Sequence, residues 1–270
     1  MPKTTGLKRN TIDKYYTSEQ TVQTCMGFIQ EHINISTTDV CIEPSAGNGS
    51  FISAIQSVFS NHRFYDLEPE NDLITRQDYL TFDYAETHYT KTHVIGNPPF
   101  GRQSSLAIKF IKKSVEYCDS ISFILPKSFK KDSLKKHFPL KFHLLFEFDL
   151  PIDSFIVDGQ IYDVPCVFQI WEKKEMDREI PKKLVSNKFK FVKKEDNPDI
   201  SFRRVGVNAG LIDTNCDKSI QSHYFISFDN PVTDELLLTL RAIDYECKNY
   251  TVGPKSISKQ ELIKEFNPVL

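Results

Sequence analysis

The chain contains no apolar run approaching the roughly 20 residues a membrane-spanning helix needs, and its start, Pro2-Lys3-Thr4-Thr5, lacks the pattern of a secretory signal. Its six cysteines, Cys25, Cys41, Cys118, Cys166, Cys216 and Cys247, include no C-x-x-C pair, which argues against a zinc site and a disulfide framework. No metal is implied. Reduced, mostly buried thiols fit a cytoplasmic compartment, or a nuclear one in a eukaryotic cell, and not a secreted protein. A large excess of one charge is also missing: 34 basic against 36 acidic residues leave a net charge of −2. That balance hides local asymmetry, so it excludes nothing about nucleic acid. There is no G-x-G-x-x-G, no phosphate loop ending in Lys-Ser/Thr, no internal repeat and no low-complexity tract.

What is present begins with 40% apolar and 26% charged residues, enough for a sizeable core in one α/β domain with a small appendage. The most informative stretch is Thr92-His93-Val94-Ile95-Gly96-Asn97-Pro98-Pro99-Phe100. Val94 and Ile95 read as the end of a buried strand, which the two prolines then stop. Pro98 also pushes Asn97 toward extended geometry. The result is a stiff loop offering an amide, backbone carbonyls and an aromatic ring. The Asn97 side-chain oxygen and the Pro98 carbonyl can accept from an NH₂ group on a planar substrate, with Phe100 stacked on its ring.

Upstream, Asp39-Val40-Cys41-Ile42-Glu43 reads as a buried strand running into Pro44-Ser45-Ala46-Gly47-Asn48-Gly49-Ser50-Phe51, a glycine-rich turn that opens a helix. Gly47 and Gly49 allow a tight turn and close approach of backbone to a ligand, which then sits by the helix N–H groups. The acid Glu43 suits a cationic ligand better than a pyrophosphate. A second strand, His62 to Pro69, ends in acids that can accept both hydroxyls of a ribose. Thr17 or Ser18 reads as the cap of a helix through Val22, Met26, Ile29 and Ile33.

Together, Glu43 to Phe51 and Asn97-Pro98-Pro99-Phe100 resemble the motifs of S-adenosylmethionine-dependent amino-methyltransferases, above all those acting on N6 of adenine in DNA or RNA. The resemblance implies a Rossmann-like class I methyltransferase fold, with a seven-stranded mixed sheet whose last hairpin holds one antiparallel strand. It implies S-adenosyl-L-methionine as cofactor, held by Glu43, Ser45, Ala46, Gly47, Asn48, Gly49 and Phe51. Asp66, with Leu67 beside it, takes the ribose, and Glu68 is the fallback. Asp78 accepts from the cofactor's adenine amine while Tyr79 packs on its purine. Tyr16 and Thr17 line the methionine end, although Ser18 stands where the family usually has proline. Asn97, Pro98, Pro99 and Phe100 form the catalytic set, with Asn97 also touching the cofactor. Phe155 or Tyr162 is a candidate second aromatic surface for the target base.

Lys127, Lys130, Lys131, Lys135 and Lys136 crowd one stretch with only Asp132 against them, which reads as a phosphate-binding edge or a solvated face. A charged linker starts at Glu172, dividing a catalytic domain, 1–172, from a basic α+β region, 173–270, that is a candidate for target recognition. There Lys188, Lys190, Lys193, Lys194, Arg203 and Arg204 interleave with Phe189, Phe191 and Phe202. That pattern suits nucleic acid, and a half-buried sheet with outward basic residues gives the same sequence. The expected activity is methylation of adenine N6, with DNA ahead of RNA. The alternatives are a protein glutamine N5-methyltransferase and a non-catalytic nucleic-acid-binding subunit. No recognition helix is visible, so a protein partner is a candidate source of target selectivity.

Overall fold

A computed structural model describes residues 15–85 and 88–270. The polar start, Pro2-Lys3-Thr4-Thr5, lies outside the described residues. Two compact units divide the chain, the first ending at Glu179 and the second spanning Ile180–Leu270.

In the first unit, a short strand β1 (Tyr16–Thr17) leads into α1 (Glu19–His32). Ser18 caps α1 by accepting from the Thr21 N–H, and the helix buries Val22, Cys25, Met26 and Ile29 along one stripe. Then follow β2 (Val40–Glu43), α2 (Ile52–Val58), β3 (Asn61–Asp66), β4 (Thr75–Arg76) and β5 (Thr92–Gly96). The unit continues with α3 (Ser105–Ser114), β6 (Ser120–Pro126), α4 (Asp132–Lys135) and β7 (Phe142–Asp149). It closes with β8 (Phe155–Val157), β9 (Gln160–Ile161) and β10 (Cys166–Lys173).

Seven of these strands form one sheet in the order β4-β3-β2-β5-β6-β10-β7. Neighbours from β4 to β6 pair in parallel, and β10 pairs antiparallel with both β6 and β7. This is the Rossmann-like, class I methyltransferase arrangement. Strands β2, β5 and β6 are buried along their whole length, as parallel strands covered on both faces must be. The order reverses between β2 and β5, so the crevice lies beyond the carboxyl ends of those two strands. At the opposite end, His93 bridges Ser120 Oγ (2.7 Å) and Asp39 Oδ2 (3.3 Å), all three 1–2% exposed. Burial pulls the His93 imidazole below its ordinary range, opposed by the Asp39 hydrogen bond. The trio has no access for a substrate and serves to join β2, β5 and β6.

Past β10, the Lys174 N–H donates to the Lys141 carbonyl and the Arg178 N–H to the Leu140 carbonyl. The Arg178 guanidinium lies over Trp171, which stacks on Phe138 at 4.0 Å and 9°. These bonds tie residues 173–179 to the first unit, so the compact body runs seven residues past the boundary that charge suggested.

The second unit holds β11 (Phe189–Val192), β12 (Ile200–Arg203), β13 (Ile212–Asp213) and β14 (His223–Phe228), in the antiparallel order β11-β14-β12-β13. Helices α5 (Asp234–Arg241) and α6 (Lys259–Phe266) complete it. Its own core gathers Ile200, Phe202, Ile226, Leu240, Tyr245, Leu262 and Phe266. Helix α6 carries a local signal at its start, the capping box of Ser258 and Glu261.

Candidate active site

One cleft is lined by the glycine loop after β2, the acidic end of β3, the segment after β4, the Asn97 loop after β5, and β1. Of the residues expected to hold the cofactor, all line it except Gly49. Gly49 instead shapes the loop. Its φ is +89°, and a Cβ there would stand 2.7 Å from Ile52 Cδ1 and 3.1 Å from Asn71 Nδ2. Those side-chain tips can yield, so backbone strain carries most of the cost. Gly49→Ala is expected to destabilise the protein by about 1–2 kcal/mol, read as a lower denaturation midpoint. Gly47→Ala should cost less: its φ of +53° lies in the left-handed region that other residues can enter, and its Cβ meets only the Tyr16 ring, at an ordinary 3.5 Å.

Asp66 is the brace of the loop. Oδ2 accepts from the Gly47 N–H and Oδ1 from the Glu68 N–H, both at 2.8 Å. Glu68 itself is exposed. Asp78 lines the cleft and caps the next turn, Oδ1 accepting from the Leu80 N–H at 3.0 Å. Tyr79 is 1% exposed, its hydroxyl bonded to Ser114 and Tyr117 and its ring stacked on Phe110 at 5.2 Å. Leu106 and Phe110 of α3 also line this side. They were visible in sequence only as one apolar helix face.

Across the crevice, the Ser45 hydroxyl donates to the Asn97 carbonyl at 3.2 Å, bridging the two loops. Asn97 Nδ2 donates to the Tyr15 carbonyl at 3.0 Å and to Thr17 Oγ1 at 3.3 Å. A backbone carbonyl can only accept, so this contact fixes which branch of the amide is nitrogen. Oδ1 is thereby left as an acceptor with no bond among the described residues. Tyr15 was not singled out from sequence, and nothing local could have found it. Its partner lies 82 residues away.

Tyr16 and Thr17 are held here because β1 pairs with β8, which pairs with β9. This small sheet was not foreseen. The Tyr16 hydroxyl donates to the Glu70 carboxylate at 2.6 Å. Phe100 is 8% exposed and stacks on Tyr15 (6.4 Å), which stacks in turn on Tyr162 (5.6 Å). Phe155 is fully buried beneath them, so of the two candidates for a second aromatic surface Tyr162, 37% exposed, is the accessible one.

The cleft lining carries four carboxyl groups, Glu43, Asp66, Glu68 and Asp78, and no Lys, Arg or His. Glu43 is 2% exposed, and its Oε2 has no hydrogen-bond partner. A Cβ on Gly96 would lie 3.2 Å from Glu43 Cγ, so that carboxyl arm lies across toward the end of β5. Burial first, and the nearby Asp66 second, push the Glu43 carboxyl up to about 8.

The basic clusters read differently in three dimensions. Lys127 and Lys130 both pair with Asp149, at 3.1 and 3.0 Å, and Lys135 pairs with Glu147 at 3.0 Å. Those acids come from β7, so Asp132 is not the only carboxylate opposing this cluster. Lys131 also sits in this turn, half-buried. In the second unit Lys194 pairs with Asp217 (2.6 Å), Arg203 Nε donates to the Val205 carbonyl and Arg204 to the Gln221 carbonyl. Phe189 and Phe202 face that unit's core, leaving Lys188, Lys190 and Lys193 as the exposed cations of this set, with the Lys188 ammonium donating to the Leu270 carbonyl.

No protein-family model matches the chain, and no curated protein matches it. Similar solved structures include a Pyrococcus horikoshii protein described as a candidate RNA methyltransferase, at 16% identity over 63% of this chain and 93% of that one, TM-score 0.49. The 23S rRNA methyltransferase ErmE is similar at 10% identity, covering 61% of this chain and 71% of its own, TM-score 0.44. A type I restriction-modification methyltransferase subunit from Streptococcus thermophilus gives 14%, 60%, 45% and 0.44. Likeness at this level carries no argument about activity, which rests on the residues of the cleft. No helix among the described residues is long and apolar enough to cross a membrane, and no metal-holding cluster occurs among them.

Proposed function

We propose that the cleft binds S-adenosylmethionine and that the chain methylates a planar amine, N6 of adenine in nucleic acid. When bound, the cofactor supplies an electrophilic methyl group on a positively charged sulfur. The fit rests on the cleft's own chemistry. A lining whose only charged side chains are acidic, with an orphaned buried carboxyl among them, suits a cation and disfavours a dinucleotide's phosphates.

The observation that carries the substrate reading is the orientation of Asn97. With both Nδ2 hydrogens directed at Tyr15 and Thr17, Oδ1 faces the substrate as an acceptor. An adenine amine is weakly nucleophilic because its lone pair is delocalised into the ring. Asn97 Oδ1 and the Pro98 carbonyl accept its two N–H bonds and favour pyramidalisation as the nitrogen attacks, and the rest is proximity and alignment. No strong base is required, because the nitrogen becomes strongly acidic once it carries the methyl group and its surplus proton then passes to solvent. A base drawn from a duplex leaves the stack to reach this loop. Tyr15, which lines the cleft, and the accessible Tyr162 supply the aromatic platform, backed by the buried Phe100.

Calorimetry with S-adenosylmethionine, followed by tritiated-methyl transfer to DNA, RNA and protein pools, tests this reading. Label in the protein pool alone would make a glutamine side chain the substrate. That second reading stays in play because Lys127, Lys130, Lys135 and Lys194 of the basic clusters pair with acids, which leaves less free positive charge for nucleic acid. Binding without transfer to any pool would leave a non-catalytic subunit.

In this proposal the second unit positions nucleic acid through phosphates, without reading sequence. A partner, or single-stranded substrate, then supplies selectivity. Charge reversal at Lys193 and Lys194 is expected to weaken nucleic-acid binding across sequences and to flatten its salt dependence by about 1 in log–log slope per lost contact. Donor affinity should not move. Unchanged binding in a filter assay would remove this unit from the interface.

A further inference from the structure

Among the described residues, Glu43 Oε2 is the partnerless buried side-chain atom that belongs to the cleft; the others, on Ser122, Arg178 and Tyr245, belong to residues that do not line it. An ionised carboxylate at 2% exposure with one oxygen unsatisfied has lost its water and gained nothing in exchange. The groups around it deepen that penalty. Asp66 at the end of β3 repels it, Glu68 and Asp78 add further carboxyl groups to the lining, and Tyr16 of β1 directs its hydroxyl at Glu70. On the β5 side Gly96 and Asn97 bring no charge, and on its own strand Cys41 is a buried thiol.

Resting on the cofactor reading above, we infer that Glu43 is a proton-linked counter-group: protonated in the free protein, it releases its proton to solvent as the cationic methyl donor enters, so that donor affinity rises with pH. The same geometry that orphans the carboxyl in the free protein gives it a partner only when a positive charge enters the cleft. Burial and Asp66 hold the group near 8 in the free protein, and a cation in the cleft reverses that bias by stabilising the carboxylate. After transfer the sulfur is neutral, the carboxylate loses that charge, and reprotonation favours product release.

The test is titration calorimetry of the full chain with S-adenosylmethionine at pH 7 in buffers of different ionisation enthalpy. The slope of heat against buffer enthalpy should report close to one proton released per donor bound. Between pH 6 and 8 the dissociation constant should fall by roughly 10- to 50-fold. Glu43→Gln, of the same shape, should release no proton, bind with little pH dependence, and match the wild type at pH 6 while falling behind it at pH 8. S-adenosylhomocysteine, without the sulfonium, should release fewer protons; equal release from both would overturn the donor-over-product part. Tight donor binding with no buffer-dependent proton release would overturn the inference and leave the cofactor reading standing. Absence of donor binding at every pH would overturn that reading itself.

Discussion

Methyl transfer by the Asn97→Ala protein is expected to fall by about 10²- to 10³-fold, some 3–4 kcal/mol of lost transition-state stabilisation, with donor affinity nearly unchanged. Alanine removes Oδ1, the proposed acceptor for the attacking amine, and the Nδ2 tether to Tyr15 and Thr17. Strand β1 stays in place without that tether, because it pairs with β8 and the Ser18 N–H donates to the Ser154 carbonyl at 2.9 Å. The cleft surface of Tyr16 and Thr17, the proposed donor contact, therefore survives. Asn97→Asp separates the two roles. It keeps acceptor oxygens but has no N–H for the Tyr15 carbonyl, so a carboxylate is repelled from the point that orients the amide. It should be nearly as slow as alanine in single-turnover assays. Wild-type rates in the aspartate variant would sink the orientation argument, and wild-type rates in alanine would sink the catalytic role.

Asp66→Ala should weaken S-adenosylmethionine binding at least 100-fold, or about 2.8 kcal/mol at about 1.4 kcal/mol per tenfold. The reason is wider than a lost ribose contact. Asp66 accepts the Gly47 and Glu68 N–H groups, so alanine leaves two donors without their partner and releases the glycine loop. Bonds to a charged acceptor are typically worth about 1.5–3 kcal/mol each. Glu68→Ala removes an exposed side chain and should change the dissociation constant less than about threefold, an effect of the size typical for surface substitutions. If calorimetry finds the reverse ranking, the ribose and bracing roles belong to Glu68.

The sheet and the two loops of the crevice were legible because their causes are local. A proline pair ends a strand wherever it occurs, and a glycine in a tight turn needs no distant partner to explain it. The motifs of Glu43 to Phe51 and Asn97 to Phe100 are short and collinear, so their place at the ends of β2 and β5 followed from chain order and the doubly wound rule. Chemistry that depends on what faces a group from elsewhere was not legible. Lys127 and Lys130 looked like a phosphate edge until β7 brought Asp149 alongside. Phe189 and Phe202 looked like stacking surface until strand pairing turned them inward, since alternation alone does not say which face is the core.

By itself, then, the sequence determined the doubly wound sheet, the crevice and the acidic, amide-bearing set that lines it, since backbone sterics and apolar burial act along the chain. Only the tertiary structure decided which way the Asn97 amide points, which lysines keep an unpaired charge, and that Glu43 has no partner. Each of those is a matter of distance between residues remote in sequence, and electrostatics and hydrogen bonding are settled by distance.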